Sequence, residues 1–302
     1  MRFGTMIITC ILLLSTLMIP GCANDNQPET SIKVTASKPV EPMPIRTVVI
    51  SSSPNVQKVT FHSESLDKDM KFNIYLPKGY DITKKYPVLY MLHGYSGTED
   101  SWLPELGLDV TADAMISANK INPLIIISPQ INNSYGFNSI SEGDYSDYIV
   151  NDLIQYVDGH FNTNASRVGR YIGGLSMGGW AALFNAFQHP ALYSKVGGHS
   201  PALFMDYWGD AEGLRNWLYP SEQLQDQRDP LRLVETQNLK GLSIYLDSGD
   251  EDGFRFYEGA EALYQQLQSK NVNSEYHHGP GGHDGDYWRK HTSDYLLFYS
   301  GK

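Results

Sequence analysis

The stretch that most constrains this chain is Arg170-Tyr171-Ile172-Gly173-Gly174-Leu175-Ser176-Met177-Gly178-Gly179-Trp180-Ala181. Val168, Tyr171 and Ile172 read as a short buried strand. Trp180, Ala181, Leu183, Phe184 and Phe187 follow with helical spacing, ending near His189-Pro190. Between strand and helix stands G-x-S-x-G, a turn too tight for side chains two residues to either side of Ser176. Gly174 and Gly178 occupy those two places. Such a turn strains the serine backbone, lifts its hydroxyl clear of the sheet, and leaves the Met177 amide at a helix N-terminus, where a developing negative charge is stabilised.

The rest of the chain supplies a frame for that turn. Val56–His62 and Met70–Leu76 read as strands, the second alternating through Phe72, Ile74 and Leu76. Pro87–Leu92 and Pro123–Ser128 are continuous apolar runs, as strands buried on both faces should be. Asp109–Asn119 and Tyr145–Phe161 read as helices, then come the elbow and a short strand at Lys195–Gly198. Leu242–Asp247 is a strand, Gly253–Lys270 a helix, Ser274–His277 a last strand and Tyr287–Tyr299 a closing helix. Strands alternating with helices predict an α/β fold with a mostly parallel sheet covered on both faces. Residues 202–238 lack a clean period and carry Trp208, Trp217 and Tyr219. They read as an insertion over the site, with aromatics available to stack on a substrate ring.

Before this domain, which begins near Val56, the sequence has a different character. Met1-Arg2 and an apolar Ile7–Ile19 run read as an export signal too short to span a membrane comfortably. The run ends Ile19-Pro20-Gly21-Cys22, which resembles a bacterial lipobox and implies lipidation of Cys22. An ordinary secretory signal cleaved nearby is the plainer alternative. Residues 23–55, with Pro28, Pro39, Pro42, Pro44 and Pro54, read as a flexible linker of roughly 30 Å reach; Val48-Val49-Ile50 is its one candidate strand. The only cysteines are Cys10 and Cys22, so no disulfide can form in the domain. A net charge of −11 argues against nucleic acid or anionic lipid as a partner, and leaves a lipid anchor as the expected membrane link.

A serine hydroxyl needs a base, and the base needs a group to fix its tautomer. On an elbow of this kind the acid and then the histidine follow the serine, each from a loop at the C-terminal end of a strand. His62, His93 and His160 precede Ser176; His189 and His199 follow it closely; His291 lies inside the closing helix; His277 and His278 belong to the last strand. His283 sits in Gly279-Pro280-Gly281-Gly282-His283-Asp284, whose glycines allow close backbone approach, and is the candidate base. For the acid, Asp247-Ser248-Gly249-Asp250-Glu251-Asp252 offers three aspartates. Asp247 ends the strand and reads as a brace bonding loop amides, Asp250 as the exposed tip. Asp252, where the chain turns back to the sheet, is the favoured acid. The same run does not fit a calcium loop, because its first and twelfth ligands would be Ser248 and Gly259. The second oxyanion donor is expected after the third strand, in Leu92-His93-Gly94-Tyr95-Ser96-Gly97, at the Tyr95 amide. His93 reads as structural, and Trp102 as either core or site lining.

Taken together, Leu92–Gly97, Gly143-Asp144-Tyr145-Ser146-Asp147-Tyr148, Gly174–Gly179, Gly249–Asp252 and Gly282-His283-Asp284 resemble the esterase family that includes esterase D-like enzymes, the feruloyl and acetylxylan esterases of carbohydrate esterase family one, and siderophore esterases. The resemblance covers Val56 to the C-terminus. It implies an α/β-hydrolase fold, neither metal nor cofactor, and a G-x-x-D pattern that falls on Gly249 to Asp252. The expectation is a surface-anchored serine carboxylesterase acting on feruloyl or acetyl esters of polysaccharide. The rival readings are hydrolysis of a cyclic siderophore triester and a non-catalytic binding protein on a hydrolase fold. An exported location argues against a cytosolic S-formylglutathione substrate.

Overall fold

The computed structural model describes residues 55–205, 208 and 212–302. The export signal, Cys22, the linker strand at Val48-Val49-Ile50 and part of the 202–238 segment lie outside them. Among the described residues, eight of the ten strands form one sheet: β1 (Val56–Ser63), β2 (Lys68–Tyr75), β3 (Val88–Leu92), β4 (Ile125–Pro129), β7 (Arg170–Leu175), β8 (Lys195–His199), β9 (Ser243–Gly249) and β10 (Asn273–Gly279). The remaining two, β5 (Asn138–Ser139) and β6 (Gly143–Asp144), make a small separate hairpin. The order across the main sheet is β1-β2-β4-β3-β7-β8-β9-β10. The β1–β2 and β2–β4 pairs are antiparallel and every other pair is parallel.

The burial pattern explains this order. Every residue of β3, β4 and β7 is buried, so these apolar runs can sit only in the middle of a sheet covered on both faces. β1 is mostly exposed over Val56–Thr60 and alternates only over Phe61–Ser63, and β10 is largely exposed, as edge strands are. Two apolar clusters lie on the two faces. The larger one includes Ile127, Ile172, Trp180, Phe187 and Leu246; the other includes Leu89, Met91, Trp102, Tyr295 and Tyr299. Each fully buried side chain of this kind contributes about 1.5–3 kcal/mol of transfer free energy. Trp102 resolves to core: it is fully buried and its Nε1–H donates to the Leu92 carbonyl at 2.9 Å.

The strand and helix positions expected from sequence differ from the observed ones mainly at their ends. The long helix expected over Tyr145–Phe161 is divided: regular turns at Tyr145–Asp147 and Ile154–His160 flank a wider-turned segment at Tyr148–Leu153. Within 202–238 the described residues form three short helices, Glu212–Leu218, Glu222–Arg228 and Pro230–Thr236. Each is too short for a helical period to stand out in sequence. Parallel strands point their C-terminal ends to one edge, and the loops after β3, β7, β9 and β10 meet there.

Candidate active site

Ser176 occupies the turn between β7 and the helix Met177–Gln188, at φ 53° and ψ −119°. A non-glycine residue at positive φ stores strain of order 1–3 kcal/mol and persists only when its surroundings hold it. Here the Ser176 N–H donates to the His199 carbonyl at 2.9 Å, and the Ser176 carbonyl accepts from Trp180 and Ala202 N–H, each at 3.0 Å. The two flanking glycines are required by close approach. A Cβ on Gly174 would overlap the Gly178 backbone, and one on Gly178 would overlap the carbonyls of Leu92 and His93. The elbow is thus wedged between β3 and β8.

The structure brings His283 and Asp252 to this serine. Ser176 Oγ lies 2.8 Å from His283 Nε2, and His283 Nδ1 lies 2.9 Å from Asp252 Oδ2. The Asp252 carboxylate is buried, and its other oxygen accepts from the Phe254 N–H at 2.8 Å. A carboxylate only accepts, so His283 carries its proton on Nδ1 and presents a bare Nε2 to the serine hydroxyl. The acid loop and the histidine loop are laced together. Asp250 N–H donates to the Gly279 carbonyl and Glu251 N–H to the Gly281 carbonyl, both at 2.9 Å; Gly281 N–H donates to Asp250 Oδ1 at 3.2 Å. A Cβ on Gly249 would overlap the Gly281 carbonyl, so only glycine permits this approach.

The other two aspartates have separate duties. Asp250 is exposed, as expected for the tip, and ties the histidine loop through Gly281. Asp247 differs from its expectation as a brace on loop amides. Its side chain is buried and bonds His199 Nδ1 at 3.0 Å and the Tyr295 hydroxyl at 2.9 Å. The reason is direction. Asp247 lies within β9, so its side chain points to a sheet face and away from the loop.

Gly94 to Gly97 form a tight turn closed by Gly97 N–H donating to the Gly94 carbonyl at 3.0 Å, with Ser96 at φ 61°. An added Cβ on Gly94 would stand 3.4 Å from Ser176 Cβ, which places this turn against Ser176. Ser96 N–H is taken by Asn133 Oδ1 at 2.7 Å. Among the described residues the Tyr95 and Met177 amides donate to no backbone carbonyl, which leaves both available to an oxyanion. His93 is fully buried. Its Nδ1 bonds the Gly94 carbonyl at 2.7 Å, and its Nε2 accepts from Ile131 N–H at 3.0 Å and touches Gln130 Oε1. Burial pushes this imidazole below its usual pKa, so it stays neutral and clamps the turn.

These loops surround an open cleft of about 500 Å³ that includes Tyr95, Ser96, Glu105, Leu106, Ser176, Phe254, His283 and Trp288. Tyr95 and Phe254 are 61% and 57% exposed, so two aromatic side chains reach solvent at its mouth. Phe254, Phe256 and Trp288 each meet the His283 ring edge to face, with centroids 5.0–5.2 Å apart. The insertion does not supply these aromatics, contrary to expectation. Trp208 stacks on Phe204, Trp217 packs on Phe137 and donates to Ser141 Oγ, and the Tyr219 hydroxyl accepts from Trp180 Nε1. They pack against the larger apolar cluster of the fold. Phe254 and Trp288 are not singled out by the sequence because their approach to the site is set by the fold; nearness in sequence to Asp252, for Phe254, and to His283, for Trp288, was the available signal. Among the described residues no group of side chains could hold a metal ion, and no helix is long and apolar enough to cross a membrane.

Comparison with known proteins agrees with this geometry. A bifunctional endo-1,4-β-xylanase/feruloyl esterase of Xylanibacter ruminicola is 31% identical over 67% of this chain and 27% of its own length. An acetyl esterase of Caldicellulosiruptor saccharolyticus is 24% identical over 79% of this chain and 96% of its own. The chain thus spans about a quarter of the first relative and nearly all of the second. Among solved structures, a ferulic acid esterase superposes with a TM-score of 0.72 at 23% identity, over 81% of this chain and 97% of its own. That likeness shows the α/β-hydrolase fold. The Esterase family model matches residues 63–299, from the end of β1 to the closing helix and through every loop of the cleft, and the chain belongs to that family.

Proposed function

We propose that the chain is a serine carboxylesterase acting on feruloyl or acetyl esters of polysaccharide. The carrying observation is the continuous hydrogen-bonded line from Asp252 through His283 to Ser176, ending in an open cleft. In this reading Ser176 Oγ attacks the ester carbonyl while His283 Nε2 takes its proton. The Met177 and Tyr95 amides hold the oxyanion. The intermediate collapses as the imidazolium gives that proton to the leaving alcohol, and water then releases the acid by the same steps in reverse. Asp252 keeps its charge throughout and stabilises the imidazolium. The complete set of nucleophile, base and acid counts against a non-catalytic binding role.

The relatives named for feruloyl and acetyl ester hydrolysis support the substrate class, as do the exposed aromatic rings of Tyr95 and Phe254. We further propose that the protein is exported and tethered through lipid on Cys22, from the apolar run that ends at Gly21-Cys22. A panel of methyl ferulate, acetylated xylan, p-nitrophenyl acetate and a cyclic catecholate triester tests the substrate. Turnover led by the first two supports the reading; turnover of the triester alone replaces it with siderophore hydrolysis. Mass spectrometry of the membrane fraction tests the anchor, and an unacylated Cys22 in a wholly soluble protein would remove it.

A further inference from the structure

Beneath the elbow lies a second histidine–aspartate pair that the proposed reaction leaves unused. His199 and Asp247 face each other across β8 and β9, with Nδ1 3.0 Å from Oδ1. Their side chains are 0% and 1% exposed. The other Asp247 oxygen accepts from the Tyr295 hydroxyl at 2.9 Å, and the Tyr299 hydroxyl stands 3.3 Å from His199 Nε2. Burial, and then the charge of Asp247, raises the pKa of both tyrosines well above the ordinary phenol value, so both remain donors. The sheet makes room for this cluster: a Cβ on either Gly173 or Gly197 would overlap the Tyr299 hydroxyl.

Two short paths lead from the pair to the reacting groups. The His199 carbonyl accepts the Ser176 N–H at 2.9 Å, so the residue whose ring Asp247 holds also anchors the nucleophile's backbone. The Asp247 carbonyl accepts the Ser200 N–H at 2.8 Å. Ser200 sits at φ 44°, and its Oγ accepts from Trp288 Nε1 at 3.2 Å. The Trp288 ring in turn stands edge to face against His283, 5.0 Å between centroids.

We infer that Asp247 and His199 are a positioning pair for catalysis: by pinning the C-terminal ends of β8 and β9 they hold Ser176 through the His199 carbonyl and His283 through Ser200 and Trp288. Neither touches the reacting atoms. Their contribution is the alignment of Ser176 Oγ on His283 Nε2, where displacements well under an ångström cost rate and leave ground-state binding unchanged.

The inference rests on Ser176 being the nucleophile, and the test separates the two claims. Asp247→Asn and Tyr295→Phe are made in the full chain, and active sites are counted by exhaustive labelling with a fluorophosphonate. kcat and KM for p-nitrophenyl acetate are then expressed per labelled site, beside the labelling rate and the melting temperature. Asp247→Asn should lower kcat per site about ten- to hundredfold, with the labelling rate falling in parallel and KM within about twofold of wild type. Tyr295→Phe, which keeps the ring and loses one bond to Asp247, should lower kcat about two- to fivefold. If Asp247→Asn fails to fold, Tyr295→Phe carries the test. A lower melting temperature with kcat and labelling rate per site unchanged would overturn the inference and make the pair a core brace alone. A wild-type protein that neither labels nor turns over would overturn the serine-hydrolase reading itself.

Discussion

Two histidine–aspartate pairs of the molecule, one in the loops after β9 and β10 and one between β8 and β9 themselves, differ in a way that explains how a buried charge becomes useful. The bonds are alike: 2.9 Å from His283 to Asp252, 3.0 Å from His199 to Asp247. The surroundings differ. The far nitrogen of His283 faces the Ser176 hydroxyl and the cleft, and its side chain is 10% exposed. The far nitrogen of His199 faces the Tyr299 hydroxyl, inside the core, at 0% exposure. A base needs one buried partner to orient it and one open partner to exchange protons with. His283 has both. His199 has two buried partners, so it can hold structure and cannot pass a proton to substrate.

The largest way to break this contrast is to remove the open partner. Ser176→Ala should lower kcat on any substrate the wild type cleaves by on the order of 10⁴–10⁶, with the circular dichroism spectrum unchanged. Near-normal turnover by that variant would dissolve the distinction between the pairs. Next is the approach that unites the two loops. Gly249→Ala sets a Cβ against the Gly281 carbonyl and must part Asp252 from His283. Its kcat should fall about a hundredfold with KM little changed, as expected for misplaced reacting groups. An unchanged kcat would mean that the loops tolerate separation.

A smaller effect tests the open side alone. Phe254→Ala should lower kcat/KM for methyl ferulate relative to p-nitrophenyl acetate by about three- to tenfold, the range of one lost aromatic contact. An unchanged ratio would remove Phe254 from substrate recognition. The smallest concerns a third buried imidazole. His93 titrates below its usual value when folded because burial disfavours its charged form. Its contribution to stability is therefore complete above the unfolded imidazole pKa of about 6.5 and is lost as pH falls from there toward the lower folded value. Urea midpoints across pH 7.5 to about 5 should decline less steeply in His93→Gln than in wild type. Equal slopes would assign the decline to other groups.

Much of this architecture is legible in sequence where local chemistry dictates it. Continuous apolar runs identified β3 and β4 as buried strands, Tyr171 and Ile172 marked β7, and the glycines around Ser176 and before His283 announced close backbone approach. Asp252 was reachable because it follows the turn and precedes a helix. Asp247 was misread because the direction of its side chain depends on the strand pleat and on what β8 places opposite. No local pattern links His199 to a residue 48 positions later. The insertion shows the same limit. Trp208 and Trp217 are fit for ring stacking as residue types, yet tertiary packing turns both inward. The rings that do line the cleft, Phe254 and Trp288, come from segments that the sequence describes only as two helices, Gly253–Lys270 and Tyr287–Tyr299.

The most direct test of the account places the two acids side by side. kcat for Asp252→Asn and Asp247→Asn is measured on one good ester, per fluorophosphonate-labelled site, with circular dichroism to establish folding. Asp252→Asn should lose about 10⁴, because His283 is then left in the wrong tautomer, while Asp247→Asn loses about ten- to hundredfold. If Asp247→Asn shows the larger loss while Asp252→Asn keeps more than about a tenth of wild-type kcat, the roles assigned to the two pairs are reversed and the account is wrong.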